Sequence, residues 1–94
     1  MRPVFAEVIP VQVAGWHVEI EFDEDEHHVR AAALLRLRDG TELRAKGQST
    51  RSPKDPNVAM IGEELAGARA LADLAEQLRE KSGKEVRDLH PTAA

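Results

Sequence analysis

Two groups of side chains in this sequence are of types that could carry chemistry. The first is Asp23-Glu24-Asp25-Glu26 followed directly by His27-His28, carboxylates and imidazoles that are all ligands for divalent metals. Adjacent residues on an extended chain point apart, however, and neither a His-x-x-x-His pair nor the glycine of a calcium-binding loop accompanies them. The run predicts a solvated turn, and no metal or other cofactor is expected. The second group is basic: Arg30, Arg36, Arg38, Arg44 and Lys46, with Arg51 and Lys54 just beyond. Guanidinium and ammonium groups in a row bind phosphates, so the first five are the candidate nucleic-acid contacts. No aromatic residue stands among them, which removes base stacking as a mechanism.

Nothing else points to catalysis. Ser49, Thr50, Ser52 and Ser82 lie in no nucleophile elbow, and Gly40, Gly47, Gly62, Gly67 and Gly83 make neither a phosphate loop nor a dinucleotide fingerprint. His17 belongs to the wet face of a strand, and His90 has no identifiable partner. No enzymatic activity is expected.

The chain has 94 residues, enough for one domain, and a chain of that size buries roughly 60 to 65% of its unfolded surface. Phe5, Trp16 and Phe22 are its aromatic residues, so the core must come from Leu, Val, Ile and Ala. Cysteine is absent, which excludes disulfides and thiolate chemistry and fits a reducing cytoplasm. Residues 1 to 15 are apolar only in patches, interrupted by Pro3, Glu7, Pro10 and Gln12, and do not read as a signal peptide. No run approaches the ~20 apolar residues of a membrane span. A cytoplasmic protein without a membrane partner is the expectation.

The element that must position everything else is a long helix over Asp55 to Gly83. Asp55 suits the cap and Pro56 the first helical position. Val58, Ile61, Leu65, Ala68, Leu71, Ala72, Leu74, Ala75 and Leu78 define an apolar arc of roughly 200°. Arg69, Asp73, Glu76, Gln77 and Glu80 fall opposite, with Arg69 and Asp73 at ion-pair spacing. Glu64 sits at the rim of the arc, within reach of water. Ser82-Gly83 reads as the stop, with Glu85 to Leu89 a last turn whose Val86 and Leu89 fold back on the core. Gly62 and Gly67, costly inside a helix, call for close approach by a strand or a second helix.

Before the helix come three strands. Trp16, Val18, Ile20 and Phe22 alternate with His17, Glu19, Glu21 and Asp23; Val29, Ala31, Ala33, Leu35 and Leu37 alternate with Arg30, Ala32, Leu34, Arg36 and Arg38. Asp39-Gly40 marks a hairpin. A three-residue loop, Asp39-Gly40-Thr41, pairs Leu37 with Leu43, Leu35 with Ala45 and Arg38 with Glu42, and keeps each face uniform. The third strand is Glu42 to about Thr50. This register sets Arg36 opposite Arg44, with Arg30, Arg38 and Lys46 on the same outward face. Seven acids and no Lys or Arg occupy Glu7 to Glu26, so Glu19 and Glu21 supply compensation, with Glu21 opposite Arg30. Residues 1 to 15 form an N-terminal arm or edge strand, 16 to 90 the single domain, and 91 to 94 a frayed tail.

The strand WHVEIEFDED, the hairpin LRLRDGTELRAKG and the helix DPNVAMIGEELAGARALADLAEQL together resemble a family of small uncharacterised actinobacterial proteins, a domain of unknown function. Asp55-Pro56, Ile61-Gly62-Glu63-Glu64-Leu65 and Ala68-Arg69-Ala70-Leu71 are the most specific part. The resemblance implies an α+β fold similar to double-stranded-RNA-binding domains: a three-stranded antiparallel meander packed against one long C-terminal helix. It implies no activity. Those RNA-binding domains use a lysine cluster at the start of their last helix, where this chain has Glu63 and Glu64 with Lys54 before them. The expected role is therefore a non-enzymatic interaction module, a homodimer or a binder of a protein partner. Its core would comprise Trp16, Leu35, Leu37, Ile61 and Leu65, and the arm or the bare sheet face with Ala32 and Leu34 would make the contact. Nucleic-acid binding through the basic hairpin is the alternative.

Overall fold

Alternation of apolar and polar side chains produces three strands, β1 (Val18–Glu24), β2 (His28–Arg36) and β3 (Glu42–Thr50), followed by one helix, α1 (Pro56–Leu89). The computed structural model describes residues 13–50 and 56–90, with backbone alone for 56–59. The expected arm, the Asp55 cap and residues 91–94 lie outside the described residues. The strands form one antiparallel sheet in the order β1-β2-β3, and α1 crosses one face of it, over β3 and β2. This is the α+β meander and long C-terminal helix that the sequence predicts.

Both hairpins differ from the expected register by two residues. Leu35 pairs with Leu43, Arg36 with Glu42 and Leu34 with Arg44, so Arg36 does not face Arg44. The loop does hold three residues, but they are Arg38, Asp39 and Gly40: Leu37 N–H donates to Thr41 O and Gly40 N–H to Leu37 O, at 2.8 and 3.1 Å. The reason is conformational. Gly40 has φ of 90°, and a three-residue hairpin needs its left-handed residue at the third loop position, not the second. Arg38 consequently lies in the turn and not on a strand face. At the first hairpin Asp23, not Glu21, is opposite Arg30. There Asp25 Oδ1 accepts the N–H groups of His27 and His28, each at 2.8 Å, and closes a two-residue loop whose residues have no positive φ.

The core is thin. Val29, Ala31, Ala33, Leu35, Ala45, Ala66, Ala70 and Leu74 are buried, with Ile20, Leu37, Leu43 and Leu78 packed at its margin. Five of these eight buried residues are alanine, so helix and sheet must approach closely. Gly47 permits it: a Cβ there would run into the backbone of Ala66, Arg69 and Ala70. Gly62 and Gly67 have the close neighbours their positions call for, Val29 Cγ2 at 3.3 Å and Phe22 Cζ at 3.4 Å from where a Cβ would stand. Ser49, the buried polar residue, donates its hydroxyl to Gly62 O at 2.6 Å.

The expected core needs correction. Leu35 is buried and Leu37 packs at the margin, but Trp16 is 61% exposed, Ile61 59% and Leu65 42%. The helix is turned by nearly half a revolution from the orientation that its largest apolar residues suggest, because only the Gly62-Ala66-Ala70-Leu74 stripe is slim enough to meet Gly47 and Ala45. Nor does the helix stop at Gly83. It runs on to Leu89, with Gly83 in ordinary helical conformation, and Lys81 bridges Glu85 one turn on at 2.9 Å. Val86 and Leu89 do not fold back; both are exposed.

Candidate interaction site

Four of the five basic candidates, Arg30, Arg36, Arg44 and Lys46, stay on the outer face of the sheet, and Arg38 lies in the turn. Arg30 is held by Asp23 at 3.3 Å and Asp25 at 3.1 Å, and the two carboxylates stabilise its charged form and raise its pKa. Asp25 is correspondingly lowered to about 2, chiefly by the two backbone N–H groups of His27 and His28, with Arg30 contributing. Arg36 Nε donates to Glu42 Oε2 at 2.9 Å, and Arg44 Nη2 lies 3.9 Å from the same oxygen. Arg38 borders a shallow depression with Ala14, Gly15 and Trp16. Lys46 shares the outer sheet face with Arg44, while Glu19 and Glu21 occupy the opposite margin across Ala32 and Leu34. An open depression of about 340 Å³ between those margins is walled by Glu21 and Asp23 on one side and Arg30 and Lys46 on the other. Charges of both signs thus line this part of the outer face. Among the described residues no three His, Asp or Glu side chains are placed to hold a metal ion.

Polar side chains of α1 do a different job from the one their spacing suggests. Arg69, Asp73 and Gln77 lie four residues apart and reach the free margin of β3. Arg69 Nη1 donates to Gln48 O at 2.6 Å, Asp73 Oδ2 accepts from Lys46 N–H at 3.3 Å, and Gln77 Nε2 donates to Arg44 O at 2.8 Å. These are backbone groups that an edge strand would otherwise leave to water. Lys81 completes the column by bonding Asp39 Oδ2 at 3.0 Å, which ties the helix to the β2-β3 turn. Thr41 N–H and Lys81 together hold the Asp39 carboxyl well below the usual carboxylate range. The four-residue repeat was visible in the sequence; its target was not, because it depends on which way the helix faces.

What the sheet does not cover is apolar. Met60, Ile61, Leu65, Ala68, Leu71, Ala72 and Ala75 are all exposed on the side of α1 turned away from β3. Phe22 of β1, which α1 only brushes at Gly67, continues the strip and borders a shallow depression with Gly67, Ala68 and Leu71. Val18, four residues earlier on β1, is also exposed. Glu64, reaching water at the margin as its position predicts, is the charged residue at the near end of the strip. Met60, Ile61, Leu65 and Leu71 are the large side chains of this exposed arc.

A family model described as Rv2632c-like matches residues 14–94 of this chain. The chain belongs to that family. The uncharacterized protein MT1780 of Mycobacterium tuberculosis (strain CDC 1551 / Oshkosh) is 42% identical over 71 residues, covering 76% of this chain and 74% of the relative. The uncharacterized protein Rv2632c of M. tuberculosis (strain ATCC 25618 / H37Rv) is 41% identical over 61 residues, 65% of this chain and 64% of the relative. A crystal structure of Rv2632c superposes with a TM-score of 0.77 at 31% identity, covering 85% of this chain and 94% of that one. Membership of the Rv2632c-like family thus brings an actinobacterial kinship and a shared fold, and it brings no activity.

Proposed function

We propose that this member of the family is a non-enzymatic interaction module of the cytoplasm that associates with protein, first of all with itself, through the outer arc of α1. The observation that carries this reading is the inverted helix: alanine and glycine face the sheet while Met60, Ile61, Leu65 and Leu71 face solvent. Burying a leucine or isoleucine contributes ~1.5–3 kcal/mol, so an arc of such residues favours a partner that removes it from water. In shape the fold is akin to double-stranded-RNA-binding domains, but shape alone does not carry function. Binding of nucleic acid through Arg30, Arg36, Arg38, Arg44 and Lys46 has weaker support, since Arg30 and Arg36 already have carboxylate partners and Arg44 shares one of them.

Sedimentation equilibrium over a wide concentration range tests the proposal. The wild-type chain is expected to associate reversibly, and the Leu65→Glu, Leu71→Glu double variant to remain folded by circular dichroism yet sediment as a monomer. A wild-type protein that stays monomeric at every concentration, with or without the substitutions, overturns it.

A further inference from the structure

Along the outer side of α1, Ile61, Ala68, Ala75 and Ser82 recur every seven residues, with Glu64-Leu65, Leu71-Ala72 and Arg79 between them. This is the spacing of a seam between two helices. The seam carries charge at two places only, Glu64 near its start and Arg79 near its end, both exposed. They are equidistant from the midpoint between Leu71 and Ala72. We infer that the occupant of the arc is a second copy of this chain, its helix antiparallel about a two-fold axis beside Leu71 and Ala72, so that Glu64 of each copy meets Arg79 of the other.

The inference rests on the reading of the arc as an association surface and adds its geometry. Antiparallel pairing unites opposite charges twice, once at each end, whereas parallel pairing sets Glu64 on Glu64 and Arg79 on Arg79 and is disfavoured. The same axis places Ala68 opposite Ala75, where two small exposed side chains allow close approach. It also sets the two helix dipoles head to tail. A two-fold contact of this kind uses one surface on both partners and closes at two copies. In the single chain Arg79 lies 3.4 Å from Glu76, but both are exposed and such an i,i+3 pair is weak, so the guanidinium is free to turn towards the second helix. The sheet stands on the far side of α1 and does not obstruct the approach.

Charge reversal and cross-linking test this together. Glu64→Arg and Arg79→Glu each convert two attractive contacts into two repulsive ones, and each is expected to weaken the dimer by about tenfold or more in sedimentation equilibrium. The double variant restores association, and an equimolar mixture of the two single variants forms heterodimers. The sequence has no cysteine, so introduced thiols report without interference. On mild oxidation Ala68→Cys mixed with Ala75→Cys is expected to cross-link, and Ala68→Cys alone is not. Circular dichroism confirms that each variant is folded. A dimer indifferent to both reversals, or Ala68→Cys joining to itself, overturns the antiparallel seam and leaves the association surface standing. A wild-type monomer at all concentrations overturns both; association that then emerges on removing residues 1–12 would identify that segment as the arc's occupant.

Discussion

On its inner side α1 presents Gly62, Ala66, Ala70 and Leu74 to the sheet, and on its outer side it presents Met60, Ile61, Leu65 and Leu71 to solvent. Hydrophobicity alone would have reversed the two. The inner stripe prevails because β3 places Gly47 and Ala45 where only a slim helix surface fits, and dispersion contact there depends on close approach rather than on side-chain size. The helix is then fixed in rotation by hydrogen bonds that Arg69 and Gln77 donate to, and Asp73 accepts from, the β3 backbone, which no other orientation of α1 would supply. Within one element, then, mostly small residues meet the sheet and large ones meet solvent.

The sharpest way to break this contrast is to thicken the inner side. Gly47→Ala sets a Cβ against helix backbone that has no rotamer with which to yield, and is expected to lose about 3 kcal/mol or more in urea unfolding. Leu74→Ala, which leaves a cavity where the largest inner side chain stood, is expected to lose ~2–4 kcal/mol. The outer side should respond differently. Leu71→Ser, at concentrations where the chain is monomeric, is expected to change stability by no more than about 0.5 kcal/mol while weakening self-association. An outer substitution that unfolds the monomer would erase the distinction between the two sides.

Acid probes a still smaller term, at the β1-β2 turn and remote from either side of the helix. Asp25 has its pKa lowered from an ordinary 3.8 to about 2, so the folded state favours the carboxylate. Its contribution is fully present above the ordinary value and is lost as pH falls through about 2. Amide exchange at His27 and His28 is expected to accelerate across that window, and in Asp25→Ala, which has no acceptor, to be fast already at neutral pH.

The strand pattern, the β3 boundaries and the helix start were legible because period and turn residues are local properties. Gly62 and Gly67 were legible too, as places where something had to come close. The hairpin register was not, since Asp39-Gly40 names a turn without saying which loop position the glycine takes, and a shift of two preserves the faces. The rotation of α1 was the larger miss. An apolar arc of roughly 200° contains more than one orientation, and the choice between them lay in Gly47, a residue on another element with no side chain to announce it. The carboxylate partners of Arg30 and Arg36, Asp23 and Glu42, were not legible for the same reason: register sets them.

One margin of the sheet is sealed. With Gln48 O, Lys46 N–H and Arg44 O of β3 engaged by α1, this edge offers another strand fewer free backbone groups. The column of Arg69, Asp73 and Gln77 thus guards this edge against pairing with another strand.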